Sequence, residues 1–275
     1  MTTYMIKQYF SLNYKKWLYT FAMLFGLCII LKYISPESFL PNGSRLILWD
    51  YVFSSLSYPL VILLVVPISY CYLIGDIFTR DYEGGYIEFF FSRISNRITY
   101  FISKVIIVFI TSNLYFLCYL VNLFVISFIY KLPFIGKCYY EVVIYSTKAG
   151  NHIMATLAIQ YGIFVIMLCT LGLFILIISL IFNNSVYSFI GVVILVFQGH
   201  DAVFNDQSRL FFSPIAQGIL SIHCPFYFYA ISSKSNMILQ KFTINYSLKY
   251  LYLMLILFLA IGYLRIRNMN ISRKG

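Results

Sequence analysis

The stretch from Asp76 to Lys104, DIFTRDYEGGYIEFFFSRISNRITYFISK, concentrates the reactive side chains of this sequence. Asp76, Arg80, Asp81, Glu83, Glu88, Arg93, Arg97 and Lys104 place both signs of charge on one short segment. Such carboxylates and guanidinium groups make charge-assisted hydrogen bonds with charged groups of a partner. Ile87, Phe90, Phe91 and Ile94 recur at helical spacing, so one face of the segment is apolar. Gly84-Gly85 interrupts it where the chain can turn sharply. The pattern predicts an amphipathic helix lying at a membrane face. Its chemistry is that of docking, not of bond breaking.

Catalytic constellations are missing elsewhere. There is no G-x-x-x-x-G-K-[ST] phosphate cradle, and the nearest string, FIGK at Phe134 to Lys137, lacks the first glycine and the hydroxyl residue. No HExxH occurs. His152, His200 and His223 are scattered near the borders of apolar runs and suit polar caps better than metal ligands. Of six cysteines, Cys28, Cys71, Cys118 and Cys169 lie inside apolar runs as small hydrophobes. Cys138 and Cys224 fall in loops, where a bridge between them is open. No CxxC pair exists, so metal and redox readings lack support. Neither a catalytic residue nor a cofactor is expected on this chain.

The elements that must position the charged segment are apolar helices. The chain is 61% hydrophobic and 11% charged, too few charges for a water-facing shell around such a core. Asp, Glu, Lys and Arg are all absent from Tyr51 to Gly75, from Val105 to Tyr130 and from Ala149 to His200. A span needs about 20 apolar residues. The sequence thus predicts an all-α polytopic membrane protein of six transmembrane helices in a single domain, residues 1–275. The spans are expected near 17–34, 51–75, 99–130, 155–182, 186–204 and 244–264. Thr3 to Lys16 reads either as a short helix lying on the membrane or as a frayed tail, and it does not resemble a cleavable signal. Pro59 and Pro67 should bend the second span. Asn183 and Asn184 form a minimal turn between spans four and five. The run from Leu210 to Ile231 is broken by Pro214 and Pro225, and a pair of short re-entrant helices in the outer leaflet is preferred to a seventh span.

The net charge of +11 comes from residues flanking the apolar runs, where anionic headgroups account for them. No nucleic-acid partner is expected. With both termini inside, Lys7, Lys15, Lys16, Arg80, Arg93, Arg97, Lys104, Arg265, Arg267, Arg273 and Lys274 gather on the cytoplasmic side. No ionisable residue is expected deep within a span. A proton-coupled transporter usually keeps one there, so the driving energy is expected from outside the chain.

Arg80, Glu83, Gly84, Glu88, Phe89-Phe90-Phe91, Ile94-Ser95, Arg97 and Lys104 together resemble a stretch that recurs in the permease subunits of the ABC-2 class of ATP-driven exporters. The proline usual before the serine-arginine patch is absent, and Arg93-Ile94 stands near it. By topology the resemblance covers nearly the whole chain. By motif it covers this one segment. It implies two such permease subunits, identical or homologous, driven by two separate ATPase subunits that carry ATP and Mg. It implies a bacterial plasma membrane location and efflux of a peptide, a drug or a lipid-like solute. On that resemblance Arg80, Glu83, Gly84, Gly85, Glu88, Phe90, Arg93 and Arg97 form the ATPase-coupling segment, with the Asn183-Asn184 turn as a further docking point. The alternatives are a transporter of another class or a membrane assembly protein.

Overall fold

The computed structural model describes residues 2–87, 97–148, 150–223 and 241–269. Every regular element among them is helical. Six helical stretches are long and apolar enough to cross a membrane: Thr2–Glu37, Val61–Glu83, Arg97–Ile129, Ile153–Phe182, Ser185–Phe204 and Ile244–Arg267. The chain is a polytopic all-α membrane protein.

Helix α1 spans Thr2–Ile34. Its buried residues Met5, Tyr9, Asn13, Thr20, Leu24, Cys28 and Leu31 fall on one face by helical periodicity. That stripe passes Lys16 without a break. The stretch expected as a separate surface helix or a frayed tail is instead the first half of one 33-residue rod. At about 1.5 Å per residue the rod is ~50 Å long, against ~30 Å of hydrocarbon. It stops in a tight turn at Ser35–Ser38, where Pro36 cannot continue it.

The second crossing is divided. Helix α2, Leu48–Leu56, ends at Ser57, just ahead of the residue before Pro59. Its freed carbonyl at Ser55 takes the Tyr119 hydroxyl at 2.9 Å. A wide π turn at Val61–Val65 follows, and α3 continues over Val66–Ile74. The wide turn lies immediately before Pro67, whose ring would crowd the carbonyl four residues back in a regular helix. The helix is thus broken ahead of Pro59 and irregular ahead of Pro67. The short α4, Thr79–Glu83, leads out of the crossing.

Helices α5, Arg97–Ile129, α7, Ile153–Phe182, α8, Ser185–Phe204, and α9, Ile244–Arg267, match the expected spans within a few residues. Helix α7 is the hub and packs on α3, α5, α8 and α9. Its most apolar stretch is 83% buried, against 22% for α9, which fits its lack of any charged residue. Gly172 lets α3, α5 and α7 meet: a Cβ there would lie 2.5 Å from the Val108 side chain and 2.9 Å from the Tyr70 hydroxyl. The loop after α5 holds one helix that the sequence reading missed, α6, Glu141–Lys148.

The start of α2 is strapped to that loop. Asp50, fully buried, accepts the Tyr139 and Tyr140 backbone N–H groups at 2.9 and 3.0 Å. The Leu48 N–H donates to the Pro133 carbonyl at 3.0 Å. Between α8 and α9 the apolar run forms three short tight helices, Gln207–Phe212, Ala216–Gly218 and Leu220–His223. Leu210, Ile215, Ile219 and Ile222 are buried against the bundle, so no continuous helix crosses between 207 and 223. Residues 224–231 of the expected run lie outside the described residues, as does Cys224. Cys138 is a free thiol.

Candidate functional site

The termini of the described chain meet at one end of the bundle. Thr2 and Ser103 hydroxyls lie 3.1 Å apart, and the Arg97 guanidinium donates to the Met269 carbonyl at 2.6 Å. Of the segment after the second crossing, Asp76, Arg80, Asp81, Arg97 and Lys104 collect here.

The local sequence explains the first knot. Gly75 ends α3, and Asp76 follows it one helical turn ahead of Arg80, so the two side chains bond each other. Tyr9, Asn13 and Lys16 lie on one face of α1 at helical spacing. Lys16 reaches Asp76 at 2.8 Å, and Arg80 donates to the Asn13 amide oxygen at 2.8 Å. Asn13 in turn donates to the Tyr9 carbonyl at 2.8 Å, and the Tyr9 hydroxyl donates to the Leu73 carbonyl at 3.1 Å. The knot stitches α1 to the exit of α3.

The second knot fastens α4 to α5. Lys104, 6% exposed, meets Asp81, 8% exposed, at 2.6 Å. The Tyr100 hydroxyl also donates to Asp81, at 2.9 Å, and the Lys104 ammonium donates to the Ile77 carbonyl at 2.8 Å. Tyr100 and Lys104 stand one turn apart on α5, so a single face supplies both donors. An ion pair removed from water this far returns little net stability, but losing either member strands the other charge.

Beyond these knots the chain turns back in the open. Tyr82, Glu83, Gly84, Gly85 and Tyr86 are exposed, while Ile87 is buried. Gly85 has a φ of +68°, and a Cβ on Gly84 would sit 2.7 Å from the Tyr86 ring. Both glycines are therefore needed, for different reasons.

The expected site residues separate into groups. Glu83, Gly84 and Gly85 form the exposed turn. Arg80, half-buried, bonds Asp76 and Asn13. Arg97 ties α5 to the end of α9. Asn183 adopts a left-handed φ of +53° that closes α7, and Asn184 caps α8 by accepting the Val186 N–H at 2.8 Å. Arg265 donates to the Leu180 carbonyl at 3.3 Å, so this turn also belongs to the end that holds the termini. Glu88, Phe90 and Arg93 lie outside the described residues.

Asn13, Lys16, Asp76, Asp81, Tyr100 and Lys104 were not among the expected site residues. The available signal was the polar spacing on α1 and the Tyr100–Lys104 step on α5. Lys104 was expected at the opening of the third span. It lies two turns inside α5, and it is tolerated there because Asp81 neutralises it.

Beside the knots a cleft of about 830 Å³ runs between α1, α3 and α8. Lys16 and Asp76 stand at its polar end, and Met23, Leu64, Ile68 and Phe189 line its apolar length. At the opposite end of the bundle His223 bridges the Ile219 carbonyl at 2.9 Å and the Ser247 hydroxyl at 2.7 Å, stacked on Phe242. Burial pushes its imidazole down to about 4, against the pull of the Ile219 and Leu220 carbonyls. Among the described residues no group of three His, Cys, Asp or Glu side chains could hold a metal ion.

Comparison with protein-family models, with curated proteins and with solved structures found no match to this chain.

Proposed function

We propose that this chain is the membrane-spanning subunit of an exporter in the plasma membrane of a bacterium, moving an amphipathic or apolar solute with ATP hydrolysed by a separate subunit. Two copies, or this chain and a homologue, make the pathway, and two ATPase subunits with their ATP and Mg drive it. The end carrying the termini faces the cytoplasm.

One observation carries this reading. The exposed turn at Tyr82–Tyr86 is anchored by the Asp81–Lys104 and Asp76–Lys16 ion pairs to α5 and α1. A partner pushing on a loose loop would only bend it. Pushing on an anchored turn displaces two crossings. Glu83 supplies an exposed carboxylate for the partner's Arg or Lys. The Asn183-Asn184 turn lies at the same end and offers a second contact. The Phe-, Tyr- and Ile-rich crossings suit a peptide, drug or lipid-like solute better than a small ion.

Photocrosslinking from Glu83 in native membranes tests this. The expected adduct, identified by mass spectrometry, is a nucleotide-hydrolysing subunit that co-purifies with the chain. Adducts confined to other integral membrane proteins would overturn the exporter reading and favour an assembly role.

A further inference from the structure

The cleft between α1, α3 and α8 has the dimensions and the polarity gradient of a lipid site. Along α1 it extends from Lys16 to Met23, and along the second crossing from Asp76 back to Leu64. At about 1.5 Å per residue these distances are ~10 and ~18 Å. One leaflet's acyl chains fill half of the ~30 Å hydrocarbon core, so the cleft matches one chain in length. Val65, Ile68 and Phe189 give it an apolar wall.

Its mouth is polar and positive. Lys16 and Asp76 stand at it, and the Asp76 carboxylate is shared with Arg80 behind, leaving one net positive charge in that knot. The Lys16 ammonium lies 5.4 Å over the Tyr72 ring, and Tyr72 and Tyr19 are exposed beside it. Tyrosines in such positions mark the headgroup level of a bilayer. One turn below Lys16 Thr20 lines the cleft, though its hydroxyl is sealed within the bundle.

We propose that the cleft holds one glycerophospholipid with an anionic headgroup, its phosphate facing Lys16 and one acyl chain lying between α1, α3 and α8. A second copy of this chain fits less well. Helix α1 carries no carboxylate, and that of α8, Asp201, stands at the opposite end of the bundle, so neither helix brings an oxyanion to Lys16. The site does not depend on whether the chain exports anything.

Native mass spectrometry tests the proposal on full-length protein released from vesicles containing equal phosphatidylglycerol and phosphatidylcholine. One retained phosphatidylglycerol per chain is expected, in preference to phosphatidylcholine. Lys16→Gln should lower retention about tenfold, the loss of one charge-assisted bond. Met23→Trp, at an exposed wall position, should abolish retention by filling the cleft with the charges intact. Should that variant misfold, Val186→Trp on the facing helix makes the same test, with an unchanged Tm as the check on folding. Equal retention of the two lipids, or undiminished retention when the cleft is filled, would overturn the proposal. So would a lipid-free dimer that Met23→Trp converts to a monomer, since the cleft would then be an interface between copies.

Discussion

The Asp81 carboxylate meets the Lys104 ammonium at 2.6 Å, joining the short helix that leaves the second crossing to the start of the third. Both side chains are nearly sealed from water, and Tyr100 donates to the same carboxylate oxygen. The pair fixes where the exposed glycine turn begins.

Removing one member leaves the other charged and buried. Asp81→Asn and Lys104→Met should each destabilise the protein by about 3–5 kcal/mol. The double variant should cost less than the sum, because it strands neither charge. Denaturant unfolding in detergent completes the cycle. Additive losses would show that the two groups are energetically independent.

His223 sets a pH dependence at the other end. The unfolded imidazole titrates near 6.5 and the folded one at about 4, so the unfolded chain binds the extra proton between them. Stability is full above about pH 6.5 and falls as the pH drops towards 4. The total loss is about 3 kcal/mol at ~1.4 kcal/mol per pH unit. In His223→Gln the slope of Tm against pH over that window should flatten. An unchanged slope would place the responsible group elsewhere.

Gly172 and Gly26 form a matched pair. Gly172→Ala drives a methyl group against Val108 and Tyr70 and should cost about 1–3 kcal/mol by overpacking. A Cβ on Gly26 meets nothing within 4 Å, so Gly26→Ala should be neutral or stabilise α1 by up to about 1 kcal/mol. Thermal melts of the two variants should move in opposite directions or differ by several degrees. Equal losses would mean that helix propensity, not the close approach, governs both sites.

Topology can be read with thiol labelling in a variant whose six native cysteines are replaced. Cysteines at Asn42 and Thr147, both exposed, should react with an impermeant reagent in intact cells. One at Glu83, equally exposed, should react only after permeabilisation. The reverse pattern would invert the orientation and remove the cytoplasmic docking surface.

Helices α5, α7 and α8 were legible because long charge-free runs have few other stable forms in this setting, and α9 because an apolar run lies between Lys249 and Arg265. Helix α1 was misjudged at Lys15-Lys16, where charge was taken as a boundary. The burial stripe from Met5 to Leu31 carries the helix through it, and Lys16 finds Asp76. Helix α6 was hidden because its eight residues are mixed in polarity. It is fixed by what it packs against, including Thr156 of α7, whose hydroxyl bonds that of Ser146. The glycine turn was visible as Gly84-Gly85. The knots below it were not, because a list of charges does not show which of them share a neighbour. Arg80 illustrates the point: its place in the sequence does not show that it bonds both Asn13 and Asp76.

The interruption before Pro59 divides the bending stiffness of the second crossing. An intact helix spreads flexure over all its turns, but here the compliance is concentrated between Leu56 and Val61. The upper piece is clamped by Asp50 to the loop that follows α5, and the lower piece by Leu73 and Asp76 to α1. Each piece travels with the end to which it is clamped. The Tyr119 hydroxyl on the Ser55 carbonyl stands at the joint as its pivot. Displacement applied at either end is thus concentrated as a swivel at one level of the bundle.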